Sequence, residues 1–459
     1  MKTLLGIVAV GFSFIGVLFA SGDLDARFGA GGVVVTATAA GDAADFQAGL
    51  AVQADGKIVV GGESDMGEAG GGFQWRVSRY TRDGELDVTF GGGGTVLTSM
   101  VDTGGFDERI VSLAVQHDRQ IVAAGVVQIG PDSTQDGPAL VRYNADGSLD
   151  DTFGEGGRVR LDVAPGHDFV TQVLIDDAGR ILVGGGCRHS FVARYTRDGE
   201  LDPSFNANGA LPGLLITEIA PSVENNSDEF LAMAIDASGR IVAAGYANVF
   251  DGTAQRIDSV VVRFQPDGTL DPTFNPDGPR PGVVITRVAP GLHWDVAFSV
   301  AIDVHGRTLT AGDAFVGIGA GGYDAALARY LPDGRLDRTF GGDGIVLTNL
   351  GPGDSDDDVR AVRLQANGKI LAGGSAAPTF FLFDSDFAVA RYNRDGSLDP
   401  TFGNGGISRM PTGANGGDDE IWAMTLQGGA HVIASGECDQ ALTGRDVCLV
   451  RFGISDPND

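Results

Sequence analysis

The chain has 459 residues, 72 of them glycine, and 61 acidic against 32 basic side chains give a formal net charge of −29. That length allows one to three domains with sizeable cores, while 43% apolar residues and the lack of a strict glycine triplet exclude collagen and bulk disorder. So acidic a chain repels phosphate backbones and anionic lipid heads, which sets nucleic-acid and peripheral-membrane roles aside, and its only lysines (Lys2, Lys57 and Lys369) leave little room for lysine chemistry.

Residues 1–20 read as a secretory signal. Lys2 is a minimal positive start, Leu4 to Ala20 is apolar, and Ala20-Ser21-Gly22 offers small residues for cleavage. The rival is an uncleaved anchor, because an apolar run of 17 residues reaches the lower limit for a span. Cleavage is preferred, since one lysine is a poor flank and repeat material begins at Asp23. The mature protein is therefore expected outside the cytoplasm (periplasm, cell surface or medium), not inserted in a membrane, and monomeric. Its folded domain is expected over 23–453, with a tail at 454–459.

Next come Leu24-Asp25-Ala26-Arg27-Phe28-Gly29 and a short apolar strand, Gly32-Val33-Val34-Val35. Both make sense only beside the rest of the chain. A phrase Arg-Tyr-x-x-Asp-Gly-x-Leu-Asp-x-x-Phe opens at Arg79, Arg142, Arg194, Arg263, Arg329, Arg391 and Arg451, 372 residues over six intervals and a mean period of 62. Before each lies an apolar run, a tight turn and a second apolar run, first seen as Leu50–Gln53, Asp55-Gly56 and Lys57–Gly62. Four strands per unit follow, in the first roughly 49–53, 57–62, 74–80 and 95–99. Units of this period with no helical periodicity indicate propeller blades, which bury their faces only by stacking on neighbours.

The last unit stops at Arg451-Phe452 without its Leu-Asp-x-x-Phe tail and outer strand, the pieces with which the chain opens. The spacing therefore predicts an all-β, seven-bladed propeller closed by the N-terminal strand, with 31–36 paired to 446–452. The phrase resembles the delta-60 repeat of an uncharacterised family of exported bacterial β-propellers, and the resemblance covers nearly all of 23–453. It implies a propeller fold and often export, with no settled activity and no catalytic residues to carry over.

Two repeated features are open to both structural and functional readings. The phrase arginines recur with seven aspartates, Asp25, Asp87, Asp150, Asp202, Asp271, Asp337 and Asp399. Equal use in every blade favours a structural contact over an anion site, because an active site breaks symmetry. An acid also precedes each first apolar run: Asp45, Glu108, Asp168, Asp228, Asp295, Asp357 and Asp419. These either cap their own loops or form a carboxylate ring at one channel mouth, where Ca²⁺ would be the fitting cation. At a spacing of about 8 Å in water such charges repel by roughly 0.5 kcal/mol per pair, so a hydrated ring can stand without metal.

Long Gly- or Asp-rich connections at 63–72, 126–138, 247–258, 313–322 and 375–385 share one face with the acids, and the short third-blade loop leaves a notch there. His167 beside Asp168, and His293 near Asp295, are weak general-base pairs on that face; His189 and Cys187 lie in the short loop. The acidic runs 354–358 and 225–229 lack EF-hand spacing. Cys438 and Cys448 flank a probable hairpin, either as a cross-strand disulfide or as two unpaired small hydrophobes. The favoured function is an exported, non-catalytic scaffold binding a protein or small-molecule ligand through the variable face, with Ca²⁺ as the one cofactor to consider. The alternative is a metal-dependent hydrolase of the lactonase or phosphotriesterase type at the acidic mouth. Three tryptophans without a repeating motif argue against a quinone dehydrogenase.

Overall fold

In a computed structural model the described residues are 21–455, apart from 37–44, 66–72, 101–107, 129–135, 162, 164–167, 187–188, 220–227, 251–254, 291–293, 318–321, 352–355, 378–384, 411–418 and 441–443. Among them lie 28 strands and no helix, arranged as seven four-stranded antiparallel sheets. Six blades use consecutive strands. The seventh takes three from the C-terminus and its outermost from the N-terminus, with Val33 opposite Val450 and Thr36 opposite Val447. Apolar side chains of adjacent blades interleave into cores between the sheets, and the phrase phenylalanines Phe28, Phe90, Phe153, Phe205, Phe274, Phe340 and Phe402 are wholly buried there.

The ends of the fold lie outside the expected 23–453. Ser21 and Gly22 occupy the place of the Asp-Gly turn that the seventh blade lacks. Gly403 N–H donates to Ser21 O at 2.8 Å, as Gly341 N–H does to Asp395 O at 2.9 Å one blade earlier. Gly22 sits at φ +95°, and a Cβ there would lie 2.3 Å from Gly403 N. At the other end Ile454 is buried, and its carbonyl accepts from Arg391 at 3.0 Å and from Gln365 at 3.2 Å.

What joins the blades is the repeated arginine. Arg391 donates from Nε to Asp399 at 2.6 Å and from Nη2 to Thr401 at 2.9 Å, and its guanidinium lies 4.9 Å from the Phe402 ring centre. Its Nη1 leaves the blade for the Ser21 hydroxyl at 2.7 Å and Ile454 O. The pattern holds around the ring: Arg79 reaches Ala145 O, Arg142 Arg197 O, Arg194 Pro266 O, Arg263 Pro332 O and Arg329 Arg394 O. Arg451 closes it on Arg82 O at 2.7 Å, with Asp25 at 2.9 Å and Phe28 at 4.8 Å. The paired Asp and Arg residues are structural, each arginine linking its own blade to the next.

A second polar group meets each of these aspartates, which the sequence reading missed. Lys57 lies 2.7 Å from Asp87, Lys369 2.8 Å from Asp399, Gln120 2.5 Å from Asp150 and His431 3.1 Å from Asp25. Arg180, Arg240 and Arg307 stand 3.5–3.7 Å from their partners. Two of the three lysines in the chain are used this way.

The connections on the variable face are also shorter than expected. Residues 247–250 and 255–258 continue the ladder, with Ala247 opposite Asp258 and Phe250 opposite Gln255. Asp313–Gly322 pairs likewise as far as Gly317 opposite Gly322. The third blade has the shortest such hairpin, its strands ending at Gly186 and restarting at Ser190. Cys438 and Cys448 form a disulfide across the outermost hairpin of the seventh blade, with Cα atoms 5.9 Å apart.

Two outcomes test closure and the arginine links. Gly22→Val, strained in φ and in collision with backbone, should cost at least about 2 kcal/mol, whereas Gly31→Val, at φ +72° with open space around it, should cost about 1 kcal/mol; equal losses would remove Gly22 from the closure. Burial pushes the linked aspartates up, but the groups facing them more than reverse this. Arg27 and Arg451 hold Asp25 at about 2, and Lys369, Thr401 and Arg391 hold Asp399 at about 2. Asp87 is lower still, and Asp150, Asp202, Asp271 and Asp337 are lowered in the same sense. Depressed carboxyl pKa values stabilise the fold above the unfolded value near 4 and lose that contribution as pH falls toward 2. Melting temperature should thus be level from pH 7 to 5 and drop steeply below pH 4, and Asp399→Asn should flatten the drop; an equal melting point at pH 2.5 and pH 6 would refute the role of these pairs.

Candidate functional site at the channel mouth

Each blade's inner strand begins at or immediately after one acid of the second series. Where their side chains are described, these acids turn into the connection between blades. Glu108 accepts from Met100 N–H at 2.9 Å, Asp168 from Val163 at 3.2 Å and Asp228 from Ile219 at 3.0 Å and Asn248 at 2.9 Å. Asp295 accepts from Val288 at 2.7 Å, and Asp357 from Leu350 at 2.5 Å. Asp419 is tied to Ser385 through its backbone: its N–H donates to Ser385 O at 2.8 Å, and its carbonyl accepts from the Ser385 hydroxyl.

All six are at most 2% exposed. For Glu108, Asp168, Asp228, Asp295 and Asp357 this is the geometry of loop capping: loop N–H groups donate to at least one oxygen of each carboxylate. Among the described residues no three His, Cys, Asp or Glu side chains gather closely enough to hold a metal. The Asp45 side chain, His167, His293 and Cys187 lie outside the described residues, as do parts of the acidic runs.

The symmetry breaks three residues farther along the inner strand. In every blade one residue there is skipped by the ladder to the second strand, a β-bulge, and in six blades the side chain of that residue lines the channel. A glycine on the second strand permits it: a Cβ on Gly374 would stand 2.0 Å from Asp358 O, and one on Gly436 1.7 Å from Glu420 O. The seven bulged residues, in blade order, are Ala48, Val111, Thr171, Leu231, Phe298, Arg360 and Trp422. From Val111 onward they line a cavity of about 530 Å³, a size suited to a small ligand.

Three adjacent blades thus offer Val, Thr and Leu, and the next three offer Phe, Arg and Trp. The Arg360 guanidinium lies 4.0 Å from the Phe298 ring centre and 5.2 Å from that of Trp422, and its Nε donates to Asp358 at 2.8 Å. Such contacts are worth about 2 kcal/mol where water is excluded, and they fix the guanidinium plane. Asp358 is fixed in turn by the Ser375 N–H at 2.9 Å and hydroxyl at 2.8 Å.

Toward the fifth blade stand Asp313 and the edge-to-face pair Phe315 and Tyr323, ring centres 5.2 Å apart. Burial pushes Asp313 up to about 7, with Arg360 pulling it down and Asp358 and Asp356 pushing it further up. Trp294 and Phe250, about half exposed, extend this aromatic region outward over the fourth and fifth blades. The sequence reading passed over Phe298, Arg360 and Asp313 and treated Trp422 only as a count. Aligning the inner strands would have revealed Phe298, Arg360 and Trp422, since only Asp357–Leu364 places arginine at channel positions; Asp313 lies on the second strand of its blade.

Six segments, 53–90, 116–153, 179–205, 237–274, 306–340 and 365–402, match the sequence profile of a β-propeller domain of unknown function, DUF5122. No protein of curated function matches. Among solved structures, a protein of unknown function from Dyadobacter fermentans is similar at 14% identity and TM-score 0.47, covering 92% of this chain and 100% of its own. A Drosophila semaphorin 1b extracellular fragment is similar at 8% identity and TM-score 0.47, with 95% and 88% covered. Virginiamycin B lyase from Staphylococcus aureus follows at 10% identity and TM-score 0.45, with 91% and 98% covered. These are faint likenesses of shape, and nothing of their activities transfers.

If the acids are caps, thermal unfolding in EDTA and in millimolar Ca²⁺ should give the same midpoint. A native-state Ca²⁺ site would raise stability by about 2.7 kcal/mol at a hundredfold excess over Kd, and a saturating, Ca²⁺-selective rise would restore the metal reading. The chain is a seven-bladed β-propeller, and a segment in each of six blades matches the profile of the β-propeller domain DUF5122.

Proposed function

We propose that this protein is exported and acts as a non-catalytic scaffold, binding a ligand or protein at the channel mouth on its variable face. One observation carries the reading. A structure repeated seven times at its arginine links, caps and bulges departs from repetition at Phe298, Arg360 and Trp422, with Asp313 beside them. Repeated features are explained by folding, whereas a cluster confined to three blades serves no folding role that the other four need. The exposed Trp294 and Phe250 alongside are the residue types that anchor protein contacts. Export is supported by the pattern of residues 1–22, a single lysine, an apolar run from Leu4 to Ala20 and small residues at Ala20-Ser21-Gly22.

The hydrolase alternative draws on Asp313, an acid held near neutrality beside an arginine and therefore able to exchange a proton at physiological pH. One experiment separates the two. The chain is expressed with its leader, the exported form is sequenced from its N-terminus, and it is assayed on lactone and phosphotriester panels beside Asp313→Asn. The scaffold reading expects Ser21 at the N-terminus and no turnover that distinguishes the two proteins. Retention of Met1 inside the cell would overturn export, and turnover lost a hundredfold or more in Asp313→Asn would overturn the non-catalytic role.

A further inference from the structure

The inner strand of the sixth blade carries a second channel arginine. Arg363 lies three residues beyond Arg360, deeper along the axis and lining the same cavity. The other blades place Ala51, Ala114, Leu174, Ala234, Ala301 and Thr425 at that level. Arg363 Nη1 donates to the carbonyl of its own neighbour, Val362, at 2.7 Å, and among the described residues it meets no carboxylate. Burial draws its pKa down to about 10, the direction expected of a cation without a counter-ion.

The other polar groups of the cavity fall into two sets. Ser112 and Ser299 accept from Val173 and Val362 N–H, each at 3.1 Å, and Gln172 accepts from Met233 N–H, so these already link one blade's inner strand to the next. The groups left over are donors. Among the described residues Arg360 is bonded only through Nε, which leaves its terminal nitrogens to the channel. The buried indole N–H of Trp422 has no acceptor among the described residues. Opposite them Leu174, Leu231 and Ala232 form an apolar wall.

The open donors of the cavity belong to two guanidiniums and an indole N–H: Arg363 is without a carboxylate partner among the described residues, and Arg360 is paired with Asp358 through Nε alone. Such a cavity is complementary to an acceptor-only, negatively charged group. Its far wall accommodates carbon. We propose that the channel binds an organic carboxylate, its oxyanion held by Arg363 and Arg360 with the Trp422 N–H as a further donor, and its apolar body against Leu174 and Leu231. The inference rests on the channel mouth being the binding end, and adds the chemistry of what enters there. A net negative protein does not attract anions from afar, so selectivity must come from the cavity itself and not from steering.

The test is isothermal titration of the purified protein at pH 7 with benzoate, with its uncharged analogue benzamide, and with inorganic phosphate. Benzoate should bind saturably and benzamide at least tenfold more weakly, about 1.4 kcal/mol. Phosphate, lacking the apolar body, should fall below benzoate. Arg363→Gln should weaken benzoate at least tenfold with phosphate likewise reduced. Should that variant fold poorly, Leu231→Glu supplies an internal carboxylate from the facing wall and should also displace benzoate while keeping the melting point.

Failure of benzoate to saturate, equal binding of benzamide, phosphate binding as tightly as benzoate, or wild-type affinity in both variants would each overturn the carboxylate site. An exported, inactive chain that ignores benzoate would remove this inference alone. A chain with Asp313-dependent hydrolysis that still binds benzoate through Arg363 would instead remove the scaffold reading.

Discussion

A buried guanidinium shared between blades is the contact on which this propeller depends. A blade of four strands has two apolar faces and cannot bury both by itself, and apolar burial is non-directional. Cores between sheets would tolerate sliding and twisting of one blade on the next. The arginine removes that freedom, because its fork fixes the angle to its own aspartate while Nη1 seeks one carbonyl in the next blade's turn. Taking Arg and Asp out of water together is expensive and repaid only if every donor is used. In six copies the hydroxyl of Thr or Ser, the Phe ring and a second polar partner supply the remaining contacts, in the seventh Arg27 takes the place of the hydroxyl, and the carboxylates are held below their usual range.

Seven such links make a closed chain, which explains the position of the N-terminus. Arg391 has no turn of the ordinary kind to reach, and Ser21, Gly22 and Ile454 stand in for it. Closure is thus more than the pairing of one strand: Ser21 and Ile454, from opposite sides of the sequence, meet at the same arginine.

The rigid ring allows the channel to differ from blade to blade. Because the bulge and its facing glycine are repeated, the side chain at the bulged position projects inward whatever its identity, and local stability hardly depends on it. The position is free to vary from Val111 to Arg360 without disturbing the ladder. A cationic, aromatic arc covering three blades is the outcome, set against an aliphatic arc on the others. The acids at the strand starts serve the opposite purpose: they are constant because every inter-blade connection presents the same unsatisfied N–H groups.

The sequence by itself determined the seven-fold repeat, the four strands of each blade and the completion of the last blade from the first residues of the fold, because these follow from periodicity and complementary missing pieces along the chain. The Arg–Asp pairs were equally legible, eight residues apart in six copies and split between the two ends in the seventh. What only the tertiary structure decided lies in contacts between distant segments. The direction of the acidic side chains, the use of Lys57 and His431, the part played by Ser21 and the meeting of Phe298, Arg360 and Trp422 all join residues from different strands or blades. Periodicity states which positions are equivalent. It cannot state which way a bulge turns them, since that depends on one skipped residue in a ladder and on a glycine in the facing strand.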